Sequence, residues 1–265
     1  MAEEQPTYKL IYFNARGRAE HIRYIFAYAG IDYVDERISN DRWPELKKAM
    51  PYGMLPVLEM NGKPIAQSNA VARYLAREHN LAGKDEWESM LCDVLVDTLG
   101  DLKQSAYGHF PPCSESICFR TRCKSSSCPR FLAFREESRQ RCEFLNRLLL
   151  RVQSAPIPIN SHLIFQYRTE EDLFKKEEKK VKLLKETIPF YLNKFEQTVA
   201  ENNGYAVGSM TTWADFVFTV ALENFENIFG ASALENYPAL RALKKRVHEI
   251  PAIADWLARR PHSEF

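Results

Sequence analysis

The sequence predicts an α+β N-terminal domain followed by an all-helical C-terminal domain, and three observations carry that reading. Residues 7–80 alternate short β-prone runs with stretches of helical period. From Asp85 onward the strand signal disappears and the periodic stretches all have helical spacing. A segment from Tyr107 to Ile164 interrupts the helical half with a composition unlike its surroundings. The expected domains are 6–83 and 85–265, the second broken by an insertion over 107–164. At 265 residues the chain has ample core for both.

The first strand ends at Tyr12-Phe13, and a polar turn containing Gly17 follows. A helix begins after it, with apolar Ile22, Ile25, Phe26 and Ala29 at i, i+3, i+4 and i+7. This handover puts a phenol beside backbone N–H groups and an arginine, a combination suited to an anion. Tyr33–Ile38 alternates weakly as a second strand, and Trp43–Met50 is a short amphipathic piece. Pro56–Met60, the turn Asn61-Gly62 and Lys63–Ala66 read as a hairpin, because Asn-Gly accepts the positive φ angles of a tight turn. Ser68 is placed as the cap of a helix to about Asn80 that buries Val71, Ala72 and Leu75. The order fits a small mixed sheet. Helices are then expected over Trp87–Ala106, Thr169–Asn202, Thr212–Phe229, Pro238–Ile250 and Ala252–Arg259. Thr212 with Asp215 three residues on is a capping-box variant.

Hydrophobic content of 45% and charged content of 27% are those of an ordinary globular chain, and the net charge of +1 calls for no acidic partner or nucleic acid. No basic-then-apolar leader and no apolar run of spanning length is present. A cytoplasmic protein with reduced thiols and no membrane span is the expectation. Five of the six cysteines (Cys113, Cys118, Cys123, Cys128 and Cys142) fall in the insertion, and Cys92 lies outside it. The insertion holds nine Lys/Arg against four Asp/Glu, a net +5 that leaves −4 for the remainder.

Several motifs in order resemble the glutathione transferase family, and within it the sigma class, which includes prostaglandin D synthases. They are Y-F-N-A-R-G-R-A-E from Tyr12, W-P-E-L-K from Trp43, G-M-L-P-V-L-E from Gly53 and Q-S-N-A-V-A-R-Y-L from Gln67. V-D-T-L from Val96, T-W-A-D-F from Thr212 and I-P-A-I-A-D-W-L-A-R-R-P from Ile250 complete the set. The resemblance spans residues 6–106 and 165–265. It implies a thioredoxin-like N-terminal domain, an all-helical C-terminal domain and a homodimer.

The implied chemistry is activation of the glutathione thiol and its conjugation to small hydrophobic electrophiles, as in detoxification. Glutathione is then a co-substrate, and isomerisation of prostaglandin H to D is a second reaction of the class. A free thiol has a pKa of ~8.5 and only its thiolate is a good nucleophile. By resemblance Tyr12 donates its O–H to the sulfur, and Arg18 adds positive potential beside it. A charge-assisted hydrogen bond of roughly 1.5–3 kcal/mol corresponds to about 10- to 100-fold in rate. Read without the family, Tyr12 is a half-buried strand aromatic and Arg18 a solvated helix residue.

The resemblance also distributes the rest of glutathione. Met54, Leu55 and Pro56 bind its cysteinyl part, with a cis bond before Pro56 exposing the N–H and C=O of Leu55. Gln67 and Ser68, at a helix N-terminus suited to a carboxylate, bind the γ-glutamyl end, and Ser68 also reads as a plain cap. Trp43 and Lys47 contact the glycyl end, with packing of a short helix as the other reading of Trp43. Asp101 reaches the glutamyl amine in the other subunit, and Asp97 lies four residues earlier on the same face. Phe13, Ala15 and Gly17 line the acceptor pocket, which Phe265 closes. Gly100 stands where some prostaglandin synthases carry a further acid, so no metal is expected.

The insertion lies between the fourth and fifth helices, where the class builds a wall of the acceptor pocket. Its C-x₄-C-x₄-C-x₄-C run touches the edge of zinc-ligand spacing but encloses no histidine. Phe144, Leu145, Leu148, Leu149 and Val152 fall on one helical face with arginines around it, a pattern of surface or partner contact. The favoured alternative is a stretch without an evolved fold. Insertions of this kind make a second class of function relevant, the weakly active lens S-crystallins of the same family. A thioredoxin-type redox role is disfavoured, since Tyr12 and Arg16 stand where C-x₂-C would be.

Overall fold

The computed structural model describes residues 6–104 and 171–263. The expected closing role of Phe265 and the 107–164 insertion therefore lie outside the described residues. Two compact units divide the chain, one of Met1–Lys103 with Lys180–Phe265 and the other of Gln104–Lys179.

The N-terminal half contains β1 (Tyr8–Phe13), α1 (Glu20–Ala29), β2 (Val34–Ile38), α2 (Trp43–Leu46), β3 (Val57–Met60), β4 (Lys63–Ala66) and α3 (Ser68–Glu78). The strands form one mixed sheet in the order β2-β1-β3-β4. β1 runs parallel to β2 and antiparallel to β3, and β3 pairs antiparallel with β4. Asn61 (φ 51°) and Gly62 (φ 75°) make the hairpin turn that their sequence predicts. Leu10, Ile11, Val57 and Leu58 are buried from the sheet, and Ile22, Tyr24, Ile25 and Phe26 from α1. Helix α3 buries Val71, Ala72 and Leu75 as expected, with Ala76 added.

The helical half contains α4 (Glu86–Gln104), α5 (Leu173–Lys182), α6 (Ile188–Glu201), α7 (Trp213–Phe229), α8 (Pro238–His248) and α9 (Pro251–Arg259). Helix α7 is buried from Trp213 through Glu223, so it is enclosed on every side instead of on one stripe. The capping box at its start is present: the Thr212 backbone N–H donates to Asp215 Oδ2 at 2.8 Å. The other Asp215 oxygen accepts from the Ala206 N–H at 3.1 Å and from Arg246 Nη2 at 2.9 Å.

Three expectations are corrected. Ser68 is the first residue of α3 and not its cap; Gln67 holds that position, and no side chain caps it. The stretch expected as one helix over Thr169–Asn202 is broken by a π-turn at Leu183–Thr187. Pro189, just inside α6, has no N–H to return to the carbonyl four residues back, and the ladder widens there. The piece over Trp43–Met50 is helical only to Leu46, and Pro51 opens a separate 3₁₀ turn.

Candidate functional site

Sheet register assembles one end of the N-terminal domain. Ile11 pairs with Val57, and Val57 with Ala66, in a row across β1, β3 and β4. One residue farther toward the same end come Tyr12, Pro56 and Gln67, from segments 44 and 11 positions apart in sequence. Trp43 follows β2 at that end, where Phe13 pairs with Ile38. The candidate residues of β1, of the loop before β3 and of the start of α3 are thus brought together.

Tyr12 is half-buried, and its hydroxyl oxygen accepts the backbone N–H of Arg18 at 3.2 Å. That contact requires the chain to fold back tightly at Gly17, which has a φ of +42°. A Cβ on Gly17 would stand 2.5 Å from the phenol oxygen, so only glycine fits under the ring. With one lone pair engaged by an N–H, the phenol retains its own proton for a neighbouring anion.

The turn is fastened on the other side. Arg23 Nη1 donates to the Ala15 carbonyl at 2.9 Å, and Arg37 Nη1 to Asn14 Oδ1 at 2.9 Å. Arg16 Nη1 lies 3.5 Å from Glu223 Oε2 on α7. Arg23 and Glu20 are fully buried and paired at 2.9 Å. These fastenings were missed in the sequence. One signal was available: Glu223 is the only acid in the apolar run Phe216–Phe225 of α7.

The Leu55–Pro56 bond is cis, as expected. Gln67 has a φ of 75° and a ψ of 95°, a costly conformation for a side chain with a Cβ. This kink starts α3 without a side-chain cap, leaving its first N–H groups directed at the same end of the sheet. Trp43 packs edge-on against Phe13 at 5.6 Å, and both join the cluster of Ile11, Ile38 and Val57. Trp43 is half-buried, packed into this cluster on one side and open on the other. Phe13 likewise packs in this cluster. Leu55 is half-buried there, while Met54 and Lys47 are exposed. The stem of Lys47 lies over Gly53.

Asp101 and Asp97 share one exposed face of α4. Partial burial raises the Asp101 pKa, and the charge of Asp97 adds to the effect. Among the described residues no group of three His, Cys, Asp or Glu side chains is placed to hold a metal ion. None of their helices is long and apolar enough to cross a membrane.

Residues 8–77 match the model of the glutathione S-transferase N-terminal domain, and residues 160–260 that of the C-terminal domain. Human hematopoietic prostaglandin D synthase is 33% identical over 260 residues, covering 98% of this chain and 100% of that protein. The chain belongs to the glutathione S-transferase family. Glutathione S-transferase S1 of Drosophila melanogaster is also 33% identical, over 97% of this chain and 80% of the fly protein. Among solved structures, prostaglandin synthase D of Nilaparvata lugens superposes with a TM-score of 0.71 at 30% identity, covering 97% of this chain and 100% of that one. The fold of a glutathione S-transferase, a thioredoxin-like domain followed by a helical one, accounts for the sheet order and for the strand signal ending at Asp85.

Proposed function

We propose that this transferase activates glutathione at Tyr12. The phenol O–H donates to the sulfur and stabilises the thiolate, which attacks the electrophilic carbon of an acceptor. A carbon–sulfur bond forms, the leaving group departs with the bonding electrons, and the thiol proton passes to solvent. Arg18 contributes the N–H that orients the phenol, and its guanidinium contributes positive charge. The observation that carries this reading is the Tyr12 hydroxyl held by the Arg18 N–H over Gly17. It lies at the same sheet end as the cis Leu55–Pro56 bond and the uncapped start of α3.

The remaining contacts follow from that placement. Leu55, with Met54 beside it, pairs its backbone with the cysteinyl part. Gln67, Ser68 and the first N–H groups of α3 take the γ-glutamyl carboxylate. Lys47 and the open part of Trp43 take the glycyl end. Ala15, Gly17 and Phe13 border the acceptor, a small hydrophobic electrophile. We place the protein in the cytoplasm as a homodimer in which Asp101 meets the glutamyl amine of the partner's glutathione. The exposed stripe of Trp87, Met90 and Val94 on the same helix as Asp101 supports that interface. The relatives' names make isomerisation of prostaglandin H to D the second reaction to assay.

The deciding experiment measures conjugation of glutathione to a generic aryl halide by three proteins: the full chain, Tyr12→Phe, and a form lacking Tyr107–Ile164. Tyr12→Phe is expected to lose about 10- to 100-fold in kcat/KM. Full activity in that variant would refute the thiolate role. Absent glutathione binding in both the full chain and the shortened form would favour a crystallin-like structural protein. Turnover only in the shortened form would show that the insertion closes the site.

A further inference from the structure

We propose that Glu223 is a positioning residue for the reaction at Tyr12, acting through Arg16 on the turn that carries the Arg18 N–H. The proposal rests on the Tyr12 reading above and assigns a role to a residue of the helical half. Asn14, Ala15 and Arg16 are consecutive, and each is tied to a different point. Asn14 is held by Arg37, Ala15 by Arg23, and Arg16 by Glu223. Two residues later the chain presents the N–H that the phenol oxygen accepts. The first two anchors belong to the N-terminal domain, and Glu223 is the third.

Glu223 is itself rigidly placed. The Tyr24 hydroxyl donates to its Oε1 at 3.2 Å, and His248 Nε2 of α8 lies 2.7 Å from the same oxygen. Arg260, beyond α9, lies 3.8 Å from Oε2 and 2.8 Å from Glu20 Oε1, which also accepts from Trp256 Nε1 at 3.0 Å. The other oxygen of Glu20 binds Arg23 at 2.9 Å, and Arg23 holds the Ala15 carbonyl. The path therefore closes on the turn from both sides, through α1 and through α7. Side-chain exposure is 9% at Glu223 and 16% at Arg16, so the pair is little screened by solvent. Burial alone would raise the Glu223 pKa; the close approach of His248 and the charges of Arg260, His248 and Arg16 outweigh it and hold the carboxyl below its ordinary value.

The test is a double-mutant cycle of Glu223→Gln and Tyr12→Phe, read by kcat/KM for conjugation and by the pH titration of bound glutathione thiolate in the ultraviolet. Glu223→Gln is expected to cut kcat/KM about fivefold to tenfold, with glutathione affinity changed less than about twofold. The bound thiol should titrate at higher pH, because the phenol is less well aimed. In the Tyr12→Phe background both effects should vanish. A purely structural role would lower the melting temperature equally in both backgrounds and leave the thiol titration alone, which would overturn the proposal. A downward shift of the thiol titration would also overturn it, since removing an anion acts in that direction through charge alone. Where Glu223→Gln does not fold, Arg16→Gln reaches the same contact from the turn and is read against Tyr12→Phe: an effect on kcat/KM that vanishes in that background supports the proposal, and one that persists there is the effect of the lost charge alone and overturns it. The failure of the Tyr12 reading is visible separately, as full activity in Tyr12→Phe alone.

Discussion

Replacing Gly17 with alanine tests the geometry of the site without removing a polar group. The new Cβ would stand 2.5 Å from the Tyr12 hydroxyl oxygen and 3.1 Å from Cε1. Ordinary contact begins near 3.4 Å, so the phenol must retreat by the difference, about 0.9 Å. A retreat of that size carries the 3.2 Å Arg18 N–Tyr12 Oη pair out of hydrogen-bonding range. The misdirected phenol then forfeits most of a bond of roughly 1.5–3 kcal/mol to the thiolate, or about 10- to 100-fold in kcat/KM. The left-handed φ of +42° costs an alanine about 1–2 kcal/mol more, which lowers the melting temperature by roughly 2–8 °C. Gly62→Ala is the control. It carries the same kind of backbone penalty at φ +75°, but its Cβ meets nothing within 4 Å. It should lose comparable stability and keep its activity. The assay is aryl halide conjugation beside thermal unfolding of both variants. Wild-type kcat/KM in Gly17→Ala would refute the view that this turn aims the phenol.

Three further outcomes are expected. Asp215→Ala strands the buried Thr212 and Ala206 N–H groups and takes the carboxylate from Arg246, which keeps the Gly204 carbonyl; it should cost about 2–5 kcal/mol in urea unfolding. Cys92 is buried, and burial, against the opposing influence of the nearby Thr212 hydroxyl, pushes its thiol up to about 12. It should therefore resist alkylation at pH 8 in the native protein and react on unfolding, as mass spectrometry would show. Glu223 has a folded pKa below its ordinary value of 4.5. Its contribution to stability is thus fully present above that value and is lost as pH falls through the lower, folded one. The acid limb of the stability curve should flatten in Glu223→Gln.

Local chemistry was legible in the sequence, and long-range pairing was not. The Asn61-Gly62 turn, the Thr212–Asp215 box and the apolar face of α1 are each written within a few residues, and each is present. Ser68 was misplaced by one residue because a serine before an apolar run normally caps a helix. Here Gln67 takes the cap position in a strained conformation that no propensity favours. The π-turn before Pro189 was missed since helical period continues through it. Pairings such as Arg16–Glu223 and Trp256–Glu20 join residues more than 200 positions apart, and a single sequence carries no trace of them beyond an isolated acid in an apolar helix.

Those distant pairs bear on how the work of the site is divided between its two halves. The N-terminal domain supplies every group we propose around glutathione except Asp101, yet the turn beside its phenol is not held from that domain alone. Arg37 and Arg23 fix Asn14 and Ala15 from within the domain. Of the three anchored residues the one nearest Gly17, Arg16, is answered by a carboxylate on the most enclosed helix of the other half. A charge at that depth costs energy to bury and persists only when its partners are fixed. His248, Arg260 and Tyr24 supply that fixity to Glu223, and none of them lies in the segments proposed to bind glutathione. A phenol that must be aimed to within a fraction of an ångström is best served by such a support, because alignment lost in the supporting residues is paid in rate. The helical half therefore holds the Tyr12 turn from behind, through the Arg16–Glu223 pair.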